Sequence, residues 1–168
     1  STSLQLAAAV NVIANDGIYV APKLVRAVVG PDGAQTSAPD APSRRVVSEQ
    51  AASQTAAMMQ RVVCEGTATR AQVDNLPIAG KTGTAFKAAP NGTYYNEQGQ
   101  RIYYASFVGF FPADDPQVTV LVSVDEPPAG TNDRFGGTAA APVFAALAPT
   151  LIHELGIQPA PGSMGCKE

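Results

Sequence analysis

Gly80-Lys81-Thr82-Gly83-Thr84-Ala85 follows Asp74-Asn75-Leu76-Pro77-Ile78-Ala79, so a turn feeds a short apolar strand that ends in Lys-Thr-Gly. A lysine, two hydroxyls and two glycines in succession make an anion site at strand level. Gly83 has no Cβ, which lets a ligand approach the strand backbone closely. Thr82 and Thr84 lie two apart and so share one face of the strand, while Lys81 alternates to the other. The long lysine stem still reaches the strand's rim. Such a strand suits a carboxylate held beside a reacting carbonyl. A phosphate-binding G-x-x-x-x-G-K-[ST] loop is excluded, because it needs glycine where Asn75 stands and a helix where Gly83, Pro90 and Gly92 follow. The tetrapeptide alone also fits an ordinary strand-end turn, so its surroundings have to decide.

A chain of 168 residues, 45% hydrophobic and 15% charged, holds one domain with a real core. A formal net charge of -3 offers no general attraction to nucleic acid or an anionic membrane. The two longest apolar stretches, 4–14 and 138–152, are short or interrupted by Asn11, Pro142 and Pro149, and are not expected to span a bilayer. No signal peptide is visible and the chain opens at Ser1, which reads as a processed or partial piece of something longer. Cys64 and Cys166 have no metal-ligand spacing.

Thr2 and Gln5 form a capping-box pattern, Leu6, Ala9, Val10 and Ile13 recur at helical spacing, and Asn15-Asp16-Gly17 ends that helix. Residues 18–20 and 24–29 read as strands, the second closing at Gly30-Pro31-Asp32-Gly33, and 36–43 reads as a surface connection. Ser48 caps a second helix running to about Cys64, with Ala52, Thr55, Met59, Val62 and Val63 on one stripe. Thr67 reads as the cap of a short helix over 68–73. After the Lys81 strand, 87–101 is a polar surface loop or small hairpin. Tyr103–Phe111 and a returning strand over 117–124 form a hairpin, 126–135 is a loop, and 136–156 is a small-residue helix with Pro142 in its first turn. The tail over 158–168 has no pattern. The expected class is α+β, an antiparallel sheet flanked by helices.

With these elements in place the chain resembles the C-terminal part of the transpeptidase domain of class B, division-type penicillin-binding proteins. The residues that carry the resemblance are Gly80-Lys81-Thr82-Gly83-Thr84-Ala85, Leu4-Gln5-Leu6-Ala7-Ala8-Ala9 with Asn15-Asp16-Gly17, Gly66-Thr67-Ala68, Ser106-Phe107-Val108-Gly109-Phe110 with Pro112-Ala113-Asp114, and Gly136-Gly137 with Ala140-Ala141-Pro142-Val143-Phe144. K-T-G is one of three motifs of such enzymes; S-x-x-K and S-x-N are missing. Ser48-Glu49-Gln50-Ala51 and Ser3-Leu4-Gln5-Leu6 lack the lysine, Ser106-Phe107-Val108 lacks the asparagine, and Ser163-Met164-Gly165-Cys166 sits in the tail. The acyl-forming serine is therefore expected upstream or on another polypeptide.

The resemblance implies roles for four residues. Lys81 lines the cleft and is catalytic, Thr82, Gly83 and Thr84 bind substrate with it, and the Thr84 backbone N–H is a catalytic oxyanion donor. Ordinary strand threonines are the alternative. The resemblance further implies a peptidoglycan D,D-transpeptidase working through a serine acyl-enzyme and inhibited by β-lactams, with no cofactor, metal or nucleic acid. Implied partners are the peptidoglycan stem peptide, β-lactam antibiotics, the upstream part of the same protein and cell-division membrane proteins. It places the catalytic domain outside the cytoplasm, with a single-pass anchor outside this chain. The domain part is expected over 1–156, with a tail over 157–168.

Two rivals remain at this point: a non-catalytic scaffold that kept the fold, and a serine D,D-carboxypeptidase or β-lactamase relative. The tyrosine-rich loop and Gly66-Thr67-Ala68 favour the transpeptidase. Tyr94, Tyr95, Tyr103 and Tyr104 read as strand packing ahead of substrate contact. His153 reads as a helix-end histidine, since Ile157 rules out H-E-x-x-H. Asp125 and Glu126, being adjacent, are expected to face opposite ways as solvated loop residues. An extracytoplasmic location would permit a disulfide between Cys64 and Cys166; one buried and one free thiol is the alternative.

Overall fold

The computed structural model describes residues 2–128, 132–159 and 165–166. The chain begins with α1 (Ser3–Ala14), whose N-cap Thr2 accepts from the Gln5 N–H while Gln5 Oε1 accepts from the Thr2 N–H. Asp16 at φ 49 and Gly17 at φ 84 turn the chain out of the helix. Four short strands follow, β1 (Ile18–Val20), β2 (Ala27–Val29), β3 (Gln35–Ser37) and β4 (Ser43–Arg45), paired antiparallel as β1 with β4 and β2 with β3. The strand expected over 24–29 is shorter because only Ala27, Val28 and Val29 find partners, in Ser37, Thr36 and Gln35. The connection expected over 36–43 is instead used at both ends as strand.

The second helix, α2 (Glu49–Glu65), is capped by the Ser48 hydroxyl and buries Ala52, Met59 and Val63. The central sheet follows as β5 (Ala79–Phe86), β6 (Tyr103–Phe111) and β7 (Val118–Asp125), antiparallel in that order. Its register pairs Thr82 with Phe107, Gly83 with Ser106 and Thr84 with Ala105. The residues 87–101 between β5 and β6 fold as the small hairpin, with a Tyr95–Arg101 bridge and tight turns at Ala89–Thr93 and Asn96–Gln100.

The expected single helix over 136–156 is two, α3 (Gly136–Ala139) and α4 (Ala141–Leu155), separated at Ala140. Pro142 lies in the first turn of α4 and Pro149 is accommodated inside it, with Gly156 at φ 65 as the left-handed cap. By length and composition alone Gly136–Leu155 is apolar enough to cross a membrane, a test that a buried core helix also passes. Here it carries Ala141, Phe144 and Ala148 into the core.

Two cores clasp the sheet. Phe107 and Phe111 of β6 meet Phe144 edge-on at 4.8 and 5.7 Å, in a cluster that includes Val63, Ile78 and Ala148. Ala79 and Phe110 pack on the other face with Met59 of α2 and with Val10 and Ile13 of α1. The stripe expected on α1 is only partly right: Leu6 and Ala9 are exposed and Val12 is the buried residue. The helix is apolar on nearly every side, so its periodicity does not single out an inner face. Beyond α4, Ile157 is buried and Cys166 packs against the Phe107 core, with its sulfur bonded to Cys64. Ser163 and Met164 lie outside the described residues.

Candidate active site

Among the described residues β5 is an edge strand, paired with β6 on one side only. The first two residues, Ala79 and Gly80, are buried; Gly80 presses so closely on Phe107 that an added Cβ would stand 2.3 Å from its ring. The next four, Lys81 to Thr84, emerge from the core. Register puts Thr82 and Thr84 on the Phe107 face and Lys81 on the face of Val108. The lysine stem nonetheless bends back to the rim. Its ammonium donates to the Thr82 carbonyl at 2.9 Å and lies 3.4 Å from the Thr82 hydroxyl.

Two flanking segments meet the threonines. The Gly136 N–H donates to Thr84 Oγ1 at 3.1 Å. Gly136 sits so flat on the sheet that a Cβ there would lie 2.2 Å from the Ser106 carbonyl oxygen and 2.5 Å from that of Gly83. The second segment is the turn after α2. Thr67 Oγ1 lies 2.8 Å from Thr82 Oγ1. The sequence reading of Thr67 as a cap is corrected here: the following element is a single 3-10 turn, Thr69–Ala71, with no side-chain cap. Gln72 takes the capping duty backwards, its amide donating to the Val63 and Cys64 carbonyls at the end of α2.

The hydroxyl pair therefore has a definite chemistry. A hydroxyl has one proton and two lone pairs. Thr84 spends a lone pair on a backbone N–H, which leaves its proton free for an incoming anion. The Lys81 ammonium adds a full positive charge beside them.

Other candidates behave differently. Asp125 and Glu126 do not face apart: both bind Lys87 Nζ, at 2.7 and 2.9 Å, because Glu126 adopts φ 52 and reverses the strand's alternation. These two hydrogen bonds raise the Lys87 pKa above its ordinary 10.5. His153 is exposed on the last turn of α4, 3.3 Å from Glu154 Oε1. Phe86 packs against Tyr94 and Tyr103, and Tyr103 against Phe135, with the Arg101 guanidinium 4.6 Å over Phe86. Among the described residues no group of His, Cys, Asp and Glu could hold a metal. The Gly136 contact and the Thr67 contact were invisible to spacing arguments; the one signal in the sequence was that Gly136-Gly137 and Gly66-Thr67-Ala68 stand among the patterns that carry the family resemblance.

Comparison with known proteins gives a consistent set of likenesses. Residues 1–148 match the family described as the penicillin binding protein transpeptidase domain. Penicillin-binding protein PbpB of Mycolicibacterium smegmatis is 35% identical over 171 residues, covering 96% of this chain and 26% of the relative. Stage V sporulation protein D of Bacillus subtilis is 36% identical over 160 residues, covering 94% of this chain and 24% of the relative. Among solved structures, penicillin binding protein 3 from Mycobacterium tuberculosis, complexed with aztreonam, aligns with a TM-score of 0.80 at 32% identity, covering 100% of this chain and 38% of that one. The chain thus spans about a quarter of the length of these curated relatives.

Proposed function

Since the chain belongs to the penicillin-binding protein transpeptidase domain family, we propose that it supplies the substrate-anchoring strand of a peptidoglycan D,D-transpeptidase. The observation that supports this most directly is the Lys81-Thr82-Gly83-Thr84 run on an open sheet edge, with the Thr84 hydroxyl held as acceptor by the Gly136 N–H. Thr82 and Thr84 donate to the terminal carboxylate of a D-alanyl-D-alanine stem, and Lys81 supplies the positive field. A serine on a segment outside this chain attacks the penultimate carbonyl. The oxyanion that forms is met by the backbone N–H of Thr84, a kind of contact that supplies about 2.7–4 kcal/mol in a studied protease. Collapse of the tetrahedral species expels the terminal D-alanine, whose nitrogen takes up the proton given up by the serine. An amine of a second stem then attacks the acyl-enzyme, forms the cross-link and regenerates the serine.

A β-lactam carries its carboxylate next to a strained acyl carbon and so enters the same cycle, stopping at the acyl-enzyme. The substrate lies in the cell wall, so the domain works outside the cytoplasm, tethered through an anchor outside this chain. The test is covalent labelling. Penicillin should add to the full-length polypeptide at a serine upstream of this segment and leave the 168-residue chain alone unmodified by mass spectrometry. An adduct on a serine of this chain would overturn the assignment. A full-length protein that takes no label would favour a scaffold.

A further inference from the structure

The Thr67 hydroxyl caps no helix, and it lies 2.8 Å from the hydroxyl of Thr82, an ordinary O–H···O separation. We propose that Thr67 is a positioning residue: it donates its proton to Thr82 and thereby points the Thr82 proton at the carboxylate of a bound ligand. This rests on the reading of Thr82 as a carboxylate-binding hydroxyl given above.

Proton counting carries the inference. Among the described residues, Thr82 Oγ1 has two hydrogen-bonding neighbours, Thr67 Oγ1 at 2.8 Å and the Lys81 ammonium at 3.4 Å. An ammonium can only donate. If Thr82 gave its proton to Thr67, it would meet an anion with lone pairs alone, and the contact would be repulsive. With Thr67 as donor both lone pairs of Thr82 are engaged, and its single proton is left for the carboxylate. Donation into Thr82 also polarises its O–H, which strengthens the charge-assisted bond it makes. Thr67 itself is exposed, so water meets its remaining acceptor capacity. Thr84 is arranged in the same sense by a different donor, the Gly136 N–H.

The surroundings hold Thr67 in place before any ligand arrives. The N–H groups of Gly66 and Ala68, on either side of it, both donate to the Val62 carbonyl, at 3.1 and 3.2 Å. Gly137 lies against its carbonyl so tightly that a Cβ would stand 2.1 Å from the oxygen. The turn is thus gripped by α2 on one side and α3 on the other. A donor fixed in this way costs little reorganisation when the anion binds.

The experiment uses the full-length polypeptide and compares acylation rates by penicillin G and by its methyl ester, which lacks the anion. Thr67→Val should slow the reaction with the acid about tenfold and leave the ester within about twofold, while Thr67→Ser should restore the acid rate. Adding Thr67→Val to Thr82→Val should cost nothing further, because the two act as one unit. Equal losses for acid and ester would show a merely structural role and overturn the inference, as would no loss for either. The acid-to-ester ratio is internal to each variant, so a change in folded fraction does not disturb it. A parent protein that penicillin G does not acylate would remove the proposed function instead, and this inference with it.

Discussion

Lys81 is exposed, and among the described residues its ammonium bonds to the Thr82 carbonyl rather than to a carboxylate, which leaves its charge available to an anionic ligand. Lys81→Ala in the full-length protein is therefore expected to slow acylation by about 100-fold or more while shifting stability by less than about 0.5 kcal/mol. Stopped-flow acylation and thermal melting together check this. Thr84→Val keeps the backbone N–H and removes only the hydroxyl. It should weaken the reaction with carboxylate-bearing penicillin and spare its ester; equal rates for parent and variant would argue against a carboxylate-binding hydroxyl. Lys87 illustrates a different residue-level effect. Its folded pKa is raised first by Asp125 and then by Glu126, so what the contact contributes is fully present below the ordinary 10.5 and lost only as pH climbs through the raised value. An NMR titration of the Lys87 ammonium should show that elevation, and Asp125→Asn should bring the pKa down towards the ordinary value.

At the level of elements, the site exists because α3 and the turn after α2 are laid directly on β5. Gly136 and Gly137 make that approach possible, since a side chain at either would collide with backbone rather than with a flexible tip. Gly136→Ala forces α3 off Gly83 and Ser106, with an expected loss of about 1–3 kcal/mol and a parallel loss of acylation. Denaturant unfolding and acylation measured on the same preparation test this; a variant of full stability and full rate would mean that α3 has slack. Just past the opposite end of β5, Lys87 braces the sheet across β6 by binding Asp125, the last residue of β7, and Glu126, which follows it. Deeper in, Phe144 of α4 is 1% exposed and touches both Phe107 and Phe111. Phe144→Ala is expected to cost about 3–5 kcal/mol, read as a lower denaturation midpoint.

For the whole molecule, the link with the widest reach is Cys64 to Cys166, closing a separation of 102 residues between the end of α2 and the tail. In the chain-entropy model a loop of that size stabilises by about 4–5 kcal/mol, with smaller gains common in practice. Thiol counting on the denatured, non-reduced monomer should find no free thiol, and reduction should lower the melting temperature; two free thiols would end the disulfide assignment. What the sequence determined by itself was the local part of the structure. The Thr2–Gln5 capping box, the Ser48 cap, the limits of β6 and the sharing of one face by Thr82 and Thr84 all depend on residues a few positions apart, where sterics and short-range hydrogen bonds decide. Composition and motif order likewise carried the α+β class. Tertiary structure alone decided the partners that polar groups took across the fold. Thr67 meets Thr82 across 15 residues and Gly136 meets Thr84 across 52, and Lys87 gathers Asp125 and Glu126 from 38 and 39 positions away. A free hydroxyl or ammonium has several equivalent local options, so its partner is chosen only when the packed sheet brings one donor or acceptor from a distant part of the chain within reach.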